Sequence, residues 1–301
     1  MRFYVAWYPG DPIYPQYDDD CAMLVSPTSV AFRWKVRHLG IMPQSLIVDS
    51  GGFRHTVIGV SPSQRQVFER QLRMIDGVTC NVTLCQLDYP LINLRLTSNE
   101  RDRLIHQTLA NAADFRGFAT RYGLPKNVEL MGIVQGYDLD SLIYSAHELK
   151  QMGYTRFAIG SLAFLFNNKQ IAERIQAVQR VVGVGVHIFG VTGERIAPTL
   201  HALGVRSIDS ARPAKAAMFN VIFSSDPFKR HRIPPTRGRY KQTTYIYEPF
   251  HCVCPACEGR ANPDLLKLGK REYVFLRTLH NYYHLKRAIS AHADVSRSVQ
   301  G

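Results

Sequence analysis

Short apolar runs, each ending in a polar residue or a glycine, recur along the chain with stretches of helical periodicity between them. No other feature restricts the possible folds as much. Residues 45–48 run into Asp49-Ser50-Gly51-Gly52, 82–87 into Asp88-Tyr89-Pro90, 128–134 into Gln135-Gly136, and 156–159 into Gly160-Ser161. The run 186–191 carries Phe189-Gly190, and 205–208 leads into Asp209-Ser210. Between them, Ser61-Pro62 reads as an N-cap and first helical position ahead of Val67, Phe68, Leu72 and Ile75 at helical spacing. Further helices are expected over 99–122, stopped by Gly123, over 140–152 and over 169–182.

Strand, polar turn and helix in repeated alternation predict parallel strands with crossover helices. The polar residues fall at or just past the C-terminal ends of the strands. In a (β/α)8 TIM-type barrel those ends converge on one face, where the loops build a site. A doubly wound open sheet would also put ligands at strand ends. However, neither GxGxxG nor a P-loop opens any helix, which weighs against that fold and against a nucleotide cofactor.

The chain is 46 % hydrophobic and 20 % charged, enough apolar side chain for a core and too little charge for a disordered polymer. No apolar run approaches the roughly 18 residues of a membrane span, and Met1-Arg2-Phe3-Tyr4 lacks the layout of a secretory signal. The expectation is a cytoplasmic protein with no membrane partner. Lys and Arg number 37 against 24 Asp and Glu, a net charge of +13. Such a surplus suits a nucleic acid, because each phosphate contact releases a counterion; a basic surface that merely keeps the chain dissolved is the plainer alternative.

The alternation stops near residue 223. A basic stretch follows, in which Arg230, Arg232, Arg237, Arg239 and Lys241 are candidate phosphate contacts, although charge runs also suit solvated loops. Next come a cysteine cluster, a helical segment over 270–289 and a tail over 290–301 that is expected to fray. The division is therefore 1–223 for the main part of the barrel, 224–289 for the basic stretch, metal loop and helix packed on it, and 290–301 for the tail. Cys252, Cys254 and Cys257 supply three thiolates from one tight loop. In a reduced compartment such spacing reads as metal ligation before disulfide formation. Tetrahedral Zn2+ needs a fourth ligand, which His280 or His284, one helical turn apart, can supply; His280 is the expectation. Four protein ligands leave no place for an activated water, so the zinc is structural. Cys21, Cys80 and Cys85 are scattered and read as small apolar residues.

A carboxylate at the end of a buried strand is costly to keep ionised without partners. Asp49 and Asp209 both stand at such ends. Either alone could be a helix N-cap. Together with Asp88 and Gln135 on one face they suit glycosidic chemistry, where one carboxylate attacks a sugar and another moves protons.

Several segments then carry a resemblance in a fixed order: Asp49-Ser50-Gly51-Gly52-Phe53, Gly132-Ile133-Val134-Gln135-Gly136, Gly153-Tyr154 followed by Ala158-Ile159-Gly160, His187 with Gly190-Val191, Asp209, and Cys-x-Cys-x2-Cys with the later His280-Asn281. The set resembles the tRNA-guanine transglycosylase superfamily, over about residues 45–285. The resemblance implies a zinc-containing (β/α)8 barrel that removes guanine from a polynucleotide and inserts a 7-deazaguanine at the same sugar. By the same resemblance Asp209 is the nucleophile and Asp49 the general acid/base. Asp88 grips the donor edge of guanine, and Gln135 with Gly160 and Ser161 holds its carbonyl edge. Phe53 and Phe189 fall where the base is sandwiched; for a phenylalanine alone, ordinary core packing would be the simpler account.

Departures bear on the substrate. Ser161 replaces a family glycine, and Phe164-Leu165-Phe166 follows where bacterial tRNA enzymes carry a glycine–glutamate pair suited to an aminomethylated base. That favours an incoming base without a cationic arm, such as 7-cyano-7-deazaguanine. Ala216-Ala217-Met218-Phe219-Asn220 occupies the place of a basic Arg-Asn-Gly element, and no appended RNA-binding domain is evident. The sequence is thus most similar to the 7-deazaguanine DNA transglycosylase (DpdA-type) branch. That likeness implies DNA as partner, accessory DNA-modification proteins, and a phage or bacterial host cytoplasm. The same exchange on tRNA, a glycosidase that leaves an abasic site, and a non-catalytic zinc-containing nucleic-acid-binding module are the alternatives.

Overall fold

The computed structural model describes residues 1–27, 39–93, 95–165, 167–191, 193, 195–225, 227–233, 252–258 and 271–295. Eight parallel strands close into a barrel in chain order. They are β1 (Arg2–Trp7), β2 (Ala22–Val25), β3 (Ser45–Val48), β4 (Asn81–Cys85), β5 (Val128–Val134), β6 (Arg156–Ile159), β7 (His187–Ile188) and β8 (Ser207–Ser210). The barrel expected from the alternation is the fold observed, and the open sheet is excluded by closure: β1 pairs with β2 on one side and with β8 on the other, with Tyr4 opposite Asp209.

Two strands carry no helical signal between them and were not anticipated. β1 is buried over Phe3–Trp7 and β2 throughout, but the described connection between them contains only a 3-10 turn at Tyr14–Gln16. The outer helices are α1 (Gly52–Ile58), α2 (Gln64–Ile75), α3 (Ser98–Tyr122), α4 (Leu139–Gln151), α5 (Asn168–Val182), α6 (Ala197–Ala202) and α7 (Arg212–Met218). Their ends are written in capping residues. Thr97 with Glu100 and Asp138 with Ser141 form reciprocal capping boxes, and Gly123 and Gly183 close α3 and α5 in the left-handed conformation. The N-cap of α2 is Ser63 rather than the expected Ser61. Gln66 stands three residues after Ser63 and completes a capping box, whereas Gln64, three after Ser61, is buried and accepts the Leu87 N–H through Oε1 at 2.6 Å.

Inside the barrel, alternate strand residues form one cluster: Tyr4, Ala6, Ala22, Leu24, Ile47, Cys85, Met131, Ile133 and Ala158. The opposite faces of the strands pack on the helices in a second, larger cluster. Beyond the barrel, β9 (Val221–Ser225) and β10 (Phe228–Arg232) pair antiparallel, and α8 (Arg271–Val295) lies over α7 and β9. The helix expected to end at Ile289 therefore continues to Val295, into the stretch expected to fray. Asn281 fastens it to the barrel: its Oδ1 accepts the Phe223 N–H at 2.9 Å and its Nδ2 donates to the carbonyls of Val221 and Pro213.

One buried side chain ties the ends of β3 and β4 together beneath the mouth. Gln71 Nε2 donates to the carbonyls of Cys85 at 2.7 Å, Asp49 at 3.2 Å and Val48 at 3.3 Å. Gln71→Ala would leave these acceptors short of a donor and open a cavity. It should lower stability by about 2–4 kcal/mol, read as an earlier midpoint in urea unfolding.

Candidate active site

The period of two along a strand carries the inward-facing set up to the C-terminal rim. Ile47 leads to Asp49, Met131 and Ile133 to Gln135, Ala158 to Gly160, His187 to Phe189 and Ser207 to Asp209. The mouth so built is polar, above a floor of small and apolar side chains.

A directed chain of hydrogen bonds crosses it. Gly52 N–H donates to Ser50 Oγ at 3.0 Å, and Ser50 Oγ donates to Asp88 Oδ1 at 2.8 Å. From the other side, Leu91 N–H donates to Ser161 Oγ at 2.8 Å, Ser161 Oγ donates to Gln135 Oε1 at 2.7 Å, and Gln135 Nε2 donates to Asp88 Oδ2 at 2.6 Å. Every proton points toward Asp88. The packing leaves no room for side chains at two positions. A Cβ at Gly52 would lie 2.4 Å from the Asp88 carbonyl oxygen, and one at Gly160 would lie 2.2 Å from Gln135 Nε2.

Asp209, 8 % exposed, is held separately. Its Oδ1 accepts the Gly190 N–H at 2.9 Å and lies 3.4 Å from His187 Nε2, while His187 Nδ1 meets Ser207 Oγ at 2.9 Å. Burial lifts the Asp49 carboxyl to about 7; the charge of Asp88 and, to a smaller extent, that of Asp209 add to the lift, against the Gly51 and Ser50 N–H groups. Asp88 is also raised by burial, opposed by its bonds from Ser50 and Gln135. Burial raises the Tyr8 phenol too, with Asp49 and Asp209 both contributing. The Cys85 thiol below feels burial first and then Asp49, Asp88 and Asp209. Asp49 and Asp209 stand at the C-terminal ends of β3 and β8, on the same rim of the closed barrel.

Of the aromatic pair, Phe189 is partly buried against the His187 ring, with centroids 4.6 Å apart, and packs on the barrel interior. Phe53 stands on the first turn of α1, 54 % exposed, with surface to give to a ligand. Arg230 and Arg232 lie on β10, while Arg237, Arg239 and Lys241 lie outside the described residues. Arg230 joins Arg195 and Arg212 in lining a cavity of about 680 Å3. The cavity runs beside Gly190, and no acidic residue is among its described lining residues. Sequence reading placed Ser50 and His187 in motifs without giving either a role, and it did not single out Tyr8, Arg195 or Arg212. For Tyr8 and His187 the signal was present: each continues the inward alternation of its own strand.

The metal site is built between the cysteine loop and α8. The Sγ atoms of Cys252, Cys254 and Cys257 and one ring nitrogen of His280 all lie within 4.8 Å of one another. His280 Nδ1 is 3.4 Å from Cys254 Sγ and Cys257 Sγ and 3.8 Å from Cys252 Sγ. Tetrahedral Zn2+ with bonds of roughly 2.0–2.3 Å needs ligand separations of about this size. His280 Nε2 donates to the Phe223 carbonyl at 2.7 Å, which leaves the Nδ1 lone pair for a metal. His284 approaches Cys252 Sγ alone, at 3.1 Å, and turns its other nitrogen to Ser225 Oγ. The four residues could thus hold a structural zinc, as anticipated, with His280 in the fourth place.

Two measurements follow. His280→Ala should purify with little zinc by elemental analysis and melt earlier, whereas His284→Ala should retain the ion. For Asp49, a carboxyl whose pKa rises from 3.8 to about 7 on folding binds more protons in the folded state. The fold is therefore penalised increasingly as pH climbs from about 4 to 7. Asp49→Asn removes that penalty, so its Tm should match the parent's near pH 4 and exceed it at pH 8.

Comparison with known proteins identifies the family. Residues 43–292 match the TGT family, described as queuine tRNA-ribosyltransferase. The tRNA-guanine(15) transglycosylase of Saccharolobus solfataricus is 24 % identical over 261 residues, which cover 82 % of this chain and 47 % of the relative. The enzyme of the same name from Aeropyrum pernix is 24 % identical over 264 residues, 84 % of this chain and 47 % of that one. That from Sulfolobus acidocaldarius is 26 % identical over 211 residues, covering 68 % and 39 %. The chain spans about half the length of these relatives or less. Because the family match takes in the barrel from β3 onward together with the cysteine loop and most of α8, the chain belongs to the queuine tRNA-ribosyltransferase (TGT) family.

Proposed function

We propose that the protein is a glycosyltransferase that exchanges guanine in DNA for a 7-deazaguanine, 7-cyano-7-deazaguanine being the base that fits best, through a covalent link between Asp209 and the sugar. The observation that carries this reading is the convergence of Asp49, Asp209 and the Asp88–Gln135 pair on one mouth.

Asp209 attacks the anomeric carbon, the bond to guanine breaks, and Asp49 gives its proton to the departing base. The incoming base returns a proton to Asp49 and displaces Asp209 from the same carbon. Two inversions restore the β configuration, and the ester holds the glycosidic bond energy, so no nucleoside triphosphate is needed. The Gly190 N–H and His187 aim the nucleophile. A carboxyl near 7 is matched to giving and then taking a proton at neutral pH. Asp88 accepts from the N–H edge of guanine, while the second Nε2 hydrogen of Gln135 meets its carbonyl. To reach the mouth the guanine must leave any stack. The arginine-lined cavity beside Gly190 supports a polyanionic substrate passing close to Asp209.

DNA is favoured over tRNA by the departures at Ser161, at 164–166 and at 216–220. The same exchange on tRNA is the second reading, and it is favoured by what the relatives' names say of those proteins. Incubation with radiolabelled 7-cyano-7-deazaguanine and either duplex DNA or tRNA separates the two: label should enter DNA, and label in tRNA alone would overturn the DNA assignment. Asp209→Asn should abolish incorporation, by 10³-fold or more by analogy with losses of other nucleophiles, while nucleic-acid binding stays within a few-fold of the parent's.

A further inference from the structure

The two oxygens of Asp209 are not equivalent. Oδ1 receives the Gly190 N–H at 2.9 Å and has His187 Nε2 3.4 Å away. Oδ2 accepts no hydrogen bond from the described residues, yet it is not sealed from solvent, and 12 % of the side chain stays open. His187 is itself only 2 % exposed, and its Nε2 makes no hydrogen bond, the approach to Oδ1 falling short of one. A buried ring nitrogen left without a partner is uncommon and costly. Here its nearest acceptor is the carboxylate that forms and breaks a bond in the exchange.

The surroundings of the ring decide which nitrogen carries a proton. Nδ1 meets Ser207 Oγ at 2.9 Å, and a hydroxyl can give or accept there. Nε2 faces a carboxylate oxygen, and two lone pairs turned on each other repel. A neutral ring thus carries its hydrogen on Nε2 and takes one from Ser207 at Nδ1; a charged ring carries the Nε2 hydrogen as well. The rings of Tyr4 and Phe189 stand nearly perpendicular to the imidazole, with centroids 5.9 and 4.6 Å away, and hold it in place. Asp209 has two donors directed at Oδ1 and, among the described residues, none at Oδ2.

We propose that His187 is a positioning residue that acts through Asp209 on the second half of the exchange: it leaves Oδ2 as the attacking atom and receives charge back on Oδ1 when the sugar is released. The inference rests on the base-exchange reading. When Oδ2 bonds to the anomeric carbon and guanine departs with the Asp49 proton, Oδ1 becomes an ester carbonyl, a weaker acceptor than a carboxylate oxygen. When the incoming base attacks, the bond between Oδ2 and the anomeric carbon breaks, its electron pair returns to the carboxylate, and the proton of the base passes to Asp49. Charge then grows on Oδ1 in front of a fixed donor, the arrangement that lowers a barrier. A donor at Oδ1 consequently favours departure of the carboxylate over its retention as an ester.

The test follows the adduct on the whole chain by intact-mass spectrometry, for the parent, His187→Phe, His187→Gln and Ser207→Ala. A guanine-containing DNA or tRNA oligonucleotide is supplied first, and an excess of 7-cyano-7-deazaguanine is then added as a chase. His187→Phe keeps a ring without the donor. A larger fraction of it than of the parent should stand as adduct before the chase, and that adduct should clear roughly tenfold more slowly or worse. His187→Gln, whose amide reaches as far as Nε2, should clear at nearly the parent's rate. Ser207→Ala, which removes the partner of Nδ1 without touching Asp209, should slow clearance about threefold, and it gives the same readout should the phenylalanine variant not fold. A merely misplaced nucleophile would lower the adduct level instead. If His187→Phe holds less adduct than the parent, or if neither it nor Ser207→Ala slows clearance, the inference is overturned and the exchange stands. A parent that forms no adduct on either oligonucleotide takes down the exchange itself, and this inference with it.

Discussion

β1 bonds to β2 along one edge and to β8 along the other, with Tyr4 opposite both Ala22 and Asp209. Through that closure the end of β8 stands on the same rim as the end of β3. Were the sheet left open between β8 and β1, Asp49 and Asp209 would sit on strands near opposite margins of a twisted surface. Closed, both stand on one rim, and their charges add to the burial that raises the Tyr8 phenol and the Cys85 thiol. The chemistry proposed for the protein depends on this register before it depends on any individual side chain.

The second constraint is directional. A buried carboxylate is tolerable only when donors surround it, and the donors around Asp88 arrive through relays that start at backbone N–H groups of Gly52 and Leu91. Asp88 accepts on both oxygens, and that fixes Ser50 and the Gln135 amide beside it as donors. The order of donors and acceptors along the wall is thereby settled before any ligand arrives. Asp209 is treated differently, with one N–H and a histidine edge rather than a full cage, which suits a group that must leave its partners and form a bond.

Much of this was legible in the chain. Polar residues closing apolar runs gave away the rim, and Cys-x-Cys-x2-Cys gave away three metal ligands. What escaped did so for identifiable reasons. β1 and β2 lack an intervening helix, so the alternation that marked the other strands was silent there. The choice between Ser61 and Ser63 turned on the separate engagement of Gln64 with Leu87, a contact across the fold. His280 and His284 share a helix face, and what tells them apart is tertiary: His280 bonds the Phe223 carbonyl and turns Nδ1 to the three sulfurs, while His284 meets Ser225 and Cys252. Arg195 lies in the connection after β7 and Arg212 at the start of α7, and the two line one cavity with Arg230 only once the barrel is closed. Ser50 reads as an unremarkable turn residue until Asp88 is found 2.8 Å away.

The claim on which everything else rests is that a sugar is carried on Asp209. Intact-mass spectrometry after incubation with a guanine-containing DNA or tRNA oligonucleotide, with no incoming base, addresses it directly. The account requires a covalent adduct with the mass of the oligonucleotide less guanine, and peptide mapping should locate it on Asp209. An adduct on any other residue, or free guanine accompanied by an abasic strand and unmodified protein, would contradict it.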